Sequence, residues 1–410
     1  MATTKITAID VGTTKICTVV AEVTPENELR ILGVGIGPSA GLNKGMVDGV
    51  QIATEAIYSS VERAERASGE KIISAHIGIS GPHISGNNSQ GIIAITDQQQ
   101  AISNSDVERA LESARIFNVP NNRQVIHVVP RHYIVDGSDN ISDPVGMFGS
   151  RLDVETHVVT CSLSAMQNLM TCLEGTGVQV ESLVLQPFAS AEAVTTPEER
   201  LHGCVLVDIG GGTTDVCIYR DGAVAHTAVL PVGGAHMTRD LVVALRVPQP
   251  SAEEAKRAYG HAIPSLVDET EEIEIPSFGS DENKIVKRRQ LAEVLQARTE
   301  ELMEMVAAEI SRNGEAALLS AGVILTGGAA SLKGIELLTE EVLELPARVG
   351  RPHHLAGLSD ILHDPAYATS VGLLQWALKE QSININPKPS TPIGGWISKL
   401  ANLMRIILPQ

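Results

Sequence analysis

The chain has 410 residues, enough for two to four domains with separate cores. Its net charge is −18 and only 3% of its residues are aromatic, so it is poorly suited to bind a nucleic-acid backbone or to stack on bases. No apolar run approaches the roughly 20 residues that span a bilayer, and the N-terminus enters a strand pattern without a secretory signal. We therefore expect a cytoplasmic protein that does not bind nucleic acid.

The first eighty or so residues predict an α/β domain. Apolar residues in Lys5–Glu22 indicate two strands around a turn, and Leu29–Gly37 indicates a third strand. A helix is predicted over Val47–Ser68, with Ile52 on its apolar face, and a further strand over Ile72–Ile79. Strands followed by a helix and another strand are typical of an α/β domain.

Residues 82–161 predict a separate unit inserted into this domain. Glycine, proline and asparagine in Gly81–Asn88 interrupt the preceding pattern. The elements predicted beyond them are strands at Gly91–Thr96, Val125–Val135 and Leu152–Thr160 and a helix over Ser105–Phe117. Ser105 and Glu108 have the spacing of a capping box at the start of that helix. A helix over Ser164–Gly175 and a strand over Val178–Leu185 then resume the α/β alternation.

The second half repeats the α/β pattern and ends in a tether. The predicted strands lie within Gly203–Tyr219 and at Val224–Leu230 and Val323–Thr326, and the predicted helices at Ala235–Leu245, Ala252–Tyr259 and Leu291–Ser311. The segment Gln381–Gly395 has no apolar periodicity and is rich in Pro, Ser and Asn, which predicts a flexible tether.

Two short stretches read almost alike, AIDVGTTK at Ala8–Lys15 and VDIGGGTTD at Val207–Asp215. Each ends an apolar strand in an aspartate, and a glycine-rich turn and hydroxyl side chains follow. Glycine permits the tight turn and lets backbone N–H groups approach phosphate oxygens. Either turn alone could be an ordinary β-hairpin, but the pair predicts two facing sides of a nucleotide site, in which Asp10 and Asp208 hold a hydrated Mg²⁺. The other residues predicted in this site are Gly12, Thr13, Thr14, Lys15, Gly210, Gly211, Gly212, Thr213 and Asp215.

A third turn, ILTGGA at Ile324–Ala329, ends a strand in two glycines. A planar adenine could lie against the bare backbone of Gly327, Gly328 and Ala329. By itself this turn could equally be an ordinary strand-to-helix connection. Its position after the second phosphate turn favours nucleotide binding.

Residues 396–410 predict an amphipathic helix. The apolar face is formed by Trp396, Ile397, Leu400, Leu403, Met404 and Ile407, and the cations Lys399 and Arg405 lie on the other face. A helix over Trp396–Leu408 rises only about 20 Å, which is short of a ~30 Å hydrocarbon layer. Two cations and no acidic residue therefore indicate a helix that lies in a membrane surface. The alternative is a helix docked on its own domain, which would not require the tether.

The two phosphate turns and the GGA turn resemble the superfamily of actin, heat-shock chaperones and sugar kinases. Within it, the chain resembles the FtsA family of bacterial cell division proteins along nearly its full length. The similar stretches are IDVGTTKICTVVAEV, ILGVGIGPSAGLNKGMVDG, SDVERALESAR, HVVPRHYIVDG, DPVGMFGSRLDVETHVVT, LVDIGGGTTDV, VILTGGAASLKGI and DPAYATSVGLL.

The resemblance implies an α/β fold of the actin-like, two-lobed nucleotide-binding type with an inserted α+β subdomain (IC) and a C-terminal amphipathic helix. The expected parts are 1–81, 162–200 and 365–381 for subdomain IA, 82–161 for IC, 201–232 and 318–364 for IIA, 233–317 for IIB, 382–395 for a linker and 396–410 for a membrane-targeting helix.

The resemblance also implies an adaptor that binds ATP and Mg²⁺, polymerises with itself and ties the FtsZ ring to the cytoplasmic membrane. The expected partners are the FtsZ C-terminal tail, further copies of the chain, anionic lipids, and other division proteins bound through IC. The expected location is the cytoplasmic face of the membrane at the division septum, as a peripheral protein.

By position in the family's motifs, Glu253 and Lys256 contact the ribose or adenine, and Gly233 and Gly234 form a further phosphate-side turn. Arg288 and Arg298 receive the acidic FtsZ tail, although scattered arginines on a helix are also typical of a solvated face.

The expected catalytic set is Asp10, Asp208 and Gln186. Gln186 falls near the hydrolytic water, where many relatives would have Glu, so ATP hydrolysis is expected to be slow at most.

Two alternatives share the phosphate turns. One is a sugar or acyl kinase, which needs a base beside the γ-phosphate and a pocket for the acceptor. No candidate base is visible in the sequence beyond the aspartates assigned to Mg²⁺. The other is a chaperone-type or pilus-assembly ATPase. A chaperone should carry a large β-rich substrate domain after the nucleotide domain, where this chain has a tether and a helix.

Overall fold

The computed structural model describes residues 4–95, 101–115, 119–279, 283–312, 319–353, 355–357 and 360–385. The strands are β1 (Lys5–Val11), β2 (Lys15–Val23), β3 (Leu29–Pro38), β4 (Leu42–Asn43), β5 (Met46–Val47), β6 (Ser74–Ile79), β7 (Ser85–Ala94), β8 (Arg123–Val135), β9 (Ser138–Ile141), β10 (Arg151–Ser162), β11 (Gln179–Leu185), β12 (Cys204–Ile209), β13 (Thr214–Arg220), β14 (Ala223–Leu230), β15 (Glu272–Pro276), β16 (Asn283–Lys287), β17 (Val323–Thr326), β18 (Ala347–Val349) and β19 (Leu355–Gly357). The helices are α1 (Val50–Ser68), α2 (Asn104–Arg115), α3 (Leu163–Gly175), α4 (Gln186–Val194), α5 (Pro197–His202), α6 (Gly234–Leu245), α7 (Gln249–Tyr259), α8 (Arg288–Arg312), α9 (Ile335–Leu343) and α10 (Ala368–Ile385).

Two sheets with the same local topology form the centres of two lobes. The first has the strand order β11-β6-β1-β2-β3-β19, and the second has the order β14-β13-β12-β17-β18. In the first, β1 pairs antiparallel with β2 and parallel with β6. In the second, β12 pairs antiparallel with β13 and parallel with β17. The chain therefore builds the same strand–turn–strand unit twice, each time with a predicted phosphate turn at its end.

Helices cover the first sheet through narrow apolar faces. In α1 the residues Ala53, Ile57, Val61 and Ala64 are buried, at the spacing of a single helix face. Ile52, which we expected on that face, is more than half exposed, because the face is centred one residue further along the helix. The helix α10 packs on α4 and β1, so the C-terminal part of the described chain returns to the first lobe.

The inserted unit is a four-stranded sheet of order β7-β10-β8-β9 with α2 packed on it. The strand predicted at Gly91–Thr96 begins earlier, at Ser85, since antiparallel pairing with β10 satisfies the backbone of a polar, half-exposed segment that has no apolar pattern. The helix also begins earlier, at Asn104. Its N-terminal hydrogen bond runs from the Ser103 backbone N–H to Asp106 Oδ2 at 3.0 Å, so the predicted capping pair of Ser105 and Glu108 is wrong.

A smaller unit lies beside the second sheet. It contains α6, α7, the N-terminal part of α8 and the hairpin of β15 and β16, with its own apolar core. Helix α10 extends to Ile385, so the first four residues of the predicted linker 382–395 are helical. The rest of that linker and the predicted helix 396–410 lie outside the described residues. Within the described ranges, no helix is both long enough and apolar enough to cross a membrane.

The inserted unit also contacts the second lobe through a buried histidine. The His157 imidazole on β10 lies 2.7 Å from Asn88 Oδ1 and 2.8 Å from Thr227 Oγ1 of β14. The Asn88 amide donates to the Ala225 carbonyl at 3.3 Å. A neutral imidazole satisfies both contacts, with one nitrogen donating to Asn88 Oδ1 and the other accepting from the Thr227 hydroxyl. Burial, together with the smaller effects of the charges of His226 and Arg131, lowers the pKa of His157 to about 3.

This histidine predicts an acid-sensitive contact. The pKa in the folded state lies below the ~6.5 of an unfolded histidine, so the unfolded state binds more protons and folding stability falls as the pH drops below about 6.5. We expect the slope of unfolding free energy against pH between about 6 and 4 to be smaller in His157→Gln by up to about 1.4 kcal/mol per pH unit. Thermal or denaturant unfolding across this range measures it, with His202→Gln at an exposed position as the control. Equal slopes in the wild type and His157→Gln would contradict it.

Candidate functional site

The first glycine turn joins β1 to β2. The Gly12 N–H donates to the Lys15 carbonyl at 3.1 Å, which closes the turn. A Cβ at Gly12 would lie 2.8 Å from that carbonyl oxygen, so a side chain at this position would force the turn open. The turn therefore presents Thr13 and Thr14 at the end of the strand pair, as the sequence predicts.

The second turn joins β12 to β13 and is held by helix α6. The Gly210 N–H donates to the Thr213 carbonyl at 2.9 Å. The first N–H groups of α6, those of Gly234 and Ala235, donate to the carbonyls of Gly210 and Gly211 at 2.9 and 2.8 Å. A Cβ at Gly233 would lie 2.6 Å from the Gly210 carbonyl oxygen, which explains the glycine before the helix.

The two turns face each other across the lobes. A Cβ at Gly211 would lie 2.9 Å from Thr14 Oγ1, and a Cβ at Gly212 would lie 2.8 Å from Thr13 Oγ1. A side chain on the second turn would therefore force the threonines of the first turn to move. This approach brings the backbone N–H groups and the hydroxyls of both turns together at one place.

Three carboxylates lie beside these turns and are buried. Ser370 Oγ donates to Asp10 Oδ2 at 3.1 Å, and Ser190 Oγ donates to Asp208 Oδ2 at 2.5 Å. Asp215 accepts a hydrogen bond from Ser80 Oγ of the first lobe. Burial raises the pKa of all three, and the charge of Asp208 raises the pKa values of Asp10 and Asp215 further.

Lys15 and Gln186 complete the first-lobe side of the site. The Lys15 ammonium donates to the Ala366 carbonyl and lies 3.6 Å from the centre of the Tyr367 ring. Burial lowers its pKa, and the nearby Asp10 opposes that shift. The Gln186 amide, at the start of α4, donates to Asp10 Oδ1 at 3.2 Å. Gln186 therefore contacts Asp10, the carboxylate assigned to the metal. Its amide does not titrate, so it cannot act as a base.

The residues fit a hydrated magnesium ion between Asp10 and Asp208. Burial raises the pKa values of both carboxylates although Lys15 opposes the shift, and a divalent cation would supply further positive charge that favours their ionised forms. Among the described residues no group of three or more His, Cys, Asp or Glu side chains could enclose a metal ion. Mg²⁺ does not need such a cage, because it keeps several waters and is bound by one or two carboxylates together with phosphates.

The third glycine turn follows β17, next to β12. Gly327 has φ 85° and ψ 169°, a conformation open essentially to glycine alone. A Cβ there would lie 2.6 Å from the Ile209 carbonyl oxygen and closer still to Asp208 Oδ1. The following Gly328–Ser331 forms a short 3₁₀ turn that includes Ala329. The sequence-predicted adenine-side turn therefore lies directly against one of the predicted metal-binding aspartates.

Glu253 and Lys256 lie on α7 and face the start of α6. Their side chains form an ion pair of 2.7 Å. The Lys256 ammonium also donates to the Gly234 carbonyl at 2.9 Å and to Thr238 Oγ1 at 2.8 Å. The pair therefore joins α7 to the first turn of α6, the helix end that holds the second glycine turn.

Arg288 and Arg298 lie ten residues apart on α8, away from these turns, and both are already paired. Arg288 donates to the Tyr259 carbonyl at 2.8 Å and to Glu271 at 2.7 Å. Arg298 donates to both carboxylate oxygens of Asp240 on α6, at 2.6 and 3.0 Å. Both guanidinium groups are mostly covered. The predicted membrane residues, Trp396, Ile397, Lys399, Leu400, Leu403, Met404, Arg405 and Ile407, lie outside the described residues.

Four hydroxyls in the site were not predicted from the sequence. They belong to Ser80, Ser190, Thr369 and Ser370, which bind the three aspartates. Thr369 and Ser370 stand in the DPAYATSVGLL stretch that carries part of the family resemblance, and this was the available signal for them. Ser80 and Ser190 have no sequence signal, because their role follows from the approach of distant elements.

A two-lobed α/β fold with a repeated strand–turn unit, facing glycine turns and an inserted α+β unit defines an actin-like protein. Solved structures agree with this class. At 17% identity and a TM-score of 0.66, a chain of a "PilM-PilN type IV pilus biogenesis complex" is matched over 91% of this chain and 98% of that chain. MreB5 of Spiroplasma citri bound to ADP is matched at 15% identity and a TM-score of 0.55, over 93% and 98%.

The chain belongs to the FtsA family of cell division proteins. The family model "Cell division protein FtsA" matches residues 205–372, and "SHS2 domain inserted in FTSA" matches residues 81–160. The FtsA of Pseudomonas aeruginosa is 40% identical over 92% of this chain and 90% of its own length. The FtsA proteins of Borreliella burgdorferi and Escherichia coli strain K12 are 37% and 33% identical, over 96% and 98% of this chain and 95% and 97% of their own lengths. The predictions of family and fold class are confirmed.

Proposed function

We propose that the protein is an ATP-dependent adaptor that forms filaments and ties the FtsZ ring to the cytoplasmic face of the membrane at the division septum. The observation that carries the proposal is the direct approach of the turns at Thr13–Thr14 and Gly211–Gly212 from the two lobes. A nucleotide between these turns would bridge both lobes, so its presence would favour a closed conformation. Self-association could then depend on the bound nucleotide.

The residues assigned to ATP form three groups, which would receive the phosphates, the adenine and the metal ion. The backbone N–H groups and hydroxyls of the facing turns would receive phosphates, and the Gly327–Ala329 turn would receive the adenine. Asp10 and Asp208 would hold Mg²⁺, which neutralises phosphate charge when bound. Gln186 can orient a water but cannot remove its proton, so we propose that hydrolysis is slow and that the cleft acts mainly as a switch.

The proposed membrane attachment is tested by pelleting with vesicles of phosphatidylglycerol and phosphatidylcholine, with and without MgATP. Deletion of residues 396–410 is expected to abolish pelleting. The double variant Lys399→Glu/Arg405→Glu keeps the apolar face and is expected to bind anionic vesicles at least 30-fold more weakly, since each surface cation contributes about 1 kcal/mol. On neutral vesicles the double variant should match the wild type. Unchanged pelleting after the deletion would refute the anchor.

The same assay tests the proposed FtsZ site with a fluorescent peptide of the FtsZ C-terminal tail. Arg298→Glu is expected to weaken peptide binding about tenfold, about 1.4 kcal/mol, through reversed charge. Asp240→Asn is the matched control, because it weakens the same ion pair and leaves Arg298 charged. Equal loss in both variants would mean that Arg298 acts through the packing of α6 on α8. No loss in Arg298→Glu would remove it from the site.

A further inference from the structure

The short hairpin of β4 and β5 is fixed against the first glycine turn. It reverses direction at Lys44 and Gly45, whose φ angles are 48° and 75°. The Gly45 N–H donates to Thr13 Oγ1 at 3.1 Å. A Cβ at Gly45 would lie 2.5 Å from the Ser80 carbonyl oxygen, so only glycine lets the hairpin come this close. The hairpin therefore fills the space between the first turn and Ser80.

Ser80 shows at which end of the cleft the hairpin lies. Its hydroxyl donates to Asp215 on β13. In the second sheet β13 is separated from β17 by β12, so Asp215 and the Gly327–Ala329 turn are roughly 10 Å apart, two strand spacings. A nucleotide with its base at the Gly327–Ala329 turn therefore extends its phosphates toward Ser80 and the hairpin.

The Lys44 side chain places a positive charge at this end. It is half-buried, yet its ammonium has no hydrogen-bond or ion-pair partner in the described part of the chain. The pKa of His236, in the first turn of α6, is lowered first by burial of the imidazole and second by the charge of Lys44. Lys44 therefore lies within electrostatic range of the helix that holds the second turn. Ser39 Oγ is also buried with no partner among the described residues, and the Ser39 N–H donates to the Thr14 carbonyl at 3.2 Å.

We propose that Lys44 is a specificity-determining residue that binds the terminal phosphate of a nucleoside triphosphate. This inference rests on the proposed function, because it requires a nucleotide in the cleft. A lysine ammonium is a compact charge with three donors and suits a phosphate oxygen that the carboxylates nearby would repel. A diphosphate lacks the terminal phosphoryl group, so in this proposal it leaves Lys44 without its anion.

The position of the hairpin gives this contact a mechanical consequence. The hairpin is bonded to Thr13 of the first lobe, and it touches Ser80, which is bonded to Asp215 of the second lobe. A terminal phosphate held by Lys44 therefore adds a link at the point where the two lobes meet. Loss of that phosphate removes the link and favours separation of the lobes.

The test is calorimetric titration of the full chain with MgADP and with the magnesium complex of the β,γ-imido analogue of ATP. In Lys44→Gln the affinity for the triphosphate analogue is expected to fall about tenfold and that for MgADP less than twofold. Lys44→Arg keeps the charge and should retain most of the discrimination. Lys71→Gln makes the same substitution at an exposed position on the first lobe, and it should alter neither affinity.

The outcomes separate this inference from the proposed function. If the wild type binds both nucleotides and Lys44→Gln loses affinity for both equally, or for neither, the role of Lys44 is overturned and the nucleotide site stands. If the wild type binds neither nucleotide, the proposed function fails and the inference fails with it. Circular dichroism of Lys44→Gln and Lys44→Arg confirms that each variant is folded.

Discussion

Gly327→Ala is expected to weaken nucleotide binding strongly and to destabilise the second lobe by about 3 kcal/mol. The backbone at Gly327, with φ 85° and ψ 169°, is open essentially to glycine alone. The added methyl would also overlap Asp208 Oδ1 and lie 2.6 Å from the Ile209 carbonyl oxygen. Conformational strain and overpacking each cost about 1–3 kcal/mol, so the sum is large even if the neighbours move.

The same overlap predicts the loss of binding. Asp208 is held by Ser190 and Thr369, and any movement that accommodates the methyl displaces the carboxylate from the place where it would hold Mg²⁺. The turn that would receive the adenine moves with it. We expect affinity for MgATP to fall at least about 100-fold, or about 2.7 kcal/mol, in calorimetric titration.

Gly222→Ala is the matched control for this prediction. Gly222 has φ 79°, so an alanine there suffers a similar penalty for a positive φ. A Cβ at Gly222 would meet no atom within 4 Å, so overpacking does not contribute. We expect a loss of about 1 kcal/mol and unchanged MgATP affinity. If Gly327→Ala and Gly222→Ala behave alike, contact with Asp208 does not determine the role of Gly327.

The sequence was sufficient to predict the strands and turns of the site, and the reason is local. The apolar runs that end in Asp10 and Asp208 predict strand ends, and the glycines that follow each aspartate predict tight turns. Neither prediction depends on distant parts of the chain. The repeat of this pattern is what indicated two facing sides. The polar strand from Ser85 was missed because its backbone is satisfied by β10, a partner more than sixty residues away.

The support around the aspartates could not be predicted in the same way. The four hydroxyls come from separate segments, and a serine or threonine has no sequence pattern that shows which carboxylate it will reach in the fold. Lys15 illustrates the same limit, since its ammonium is bonded to Ala366, more than 300 residues away along the chain. Such contacts depend on where α10 and the turn before it pack, and the close approach of α10 to α4 requires a glycine at Gly372.

Gly372→Ala is expected to destabilise the first lobe by about 3 kcal/mol or more, against the trend for such a change. Replacing glycine by alanine in the interior of a helix normally stabilises a protein by about 0.5–1 kcal/mol. Gly372 lies in the first turns of α10, where that helix crosses α4. A Cβ there would lie 3.1 Å from Ala189 Cα and would overlap the Ala189 carbonyl. The obstacle is backbone, which cannot rotate away as a side chain can, so the steric cost exceeds the gain in helix propensity.

The control is Gly175→Ala at the end of α3, where the added methyl would meet only the side chain of half-exposed Thr54, 2.9 Å from its Cγ2. That methyl can move, so we expect a change within about 1 kcal/mol in urea unfolding. An unchanged or raised unfolding midpoint for Gly372→Ala would show that α10 and α4 can separate freely.

The effect of Gly372→Ala should extend from packing to binding. Thr369 and Ser370 lie three and two residues before Gly372 on the same helix, and they donate to Asp208 and Asp10 at 3.3 and 3.1 Å. A shift of α10 away from α4 lengthens both hydrogen bonds, because the helix moves as a rigid rod. We therefore expect MgATP affinity to fall about tenfold, or about 1.4 kcal/mol, while Gly175→Ala retains it. Asp10 and Asp208 belong to different lobes. The close contact between Gly372 of α10 and Ala189 of α4 therefore affects the position of a carboxylate on each side of the cleft.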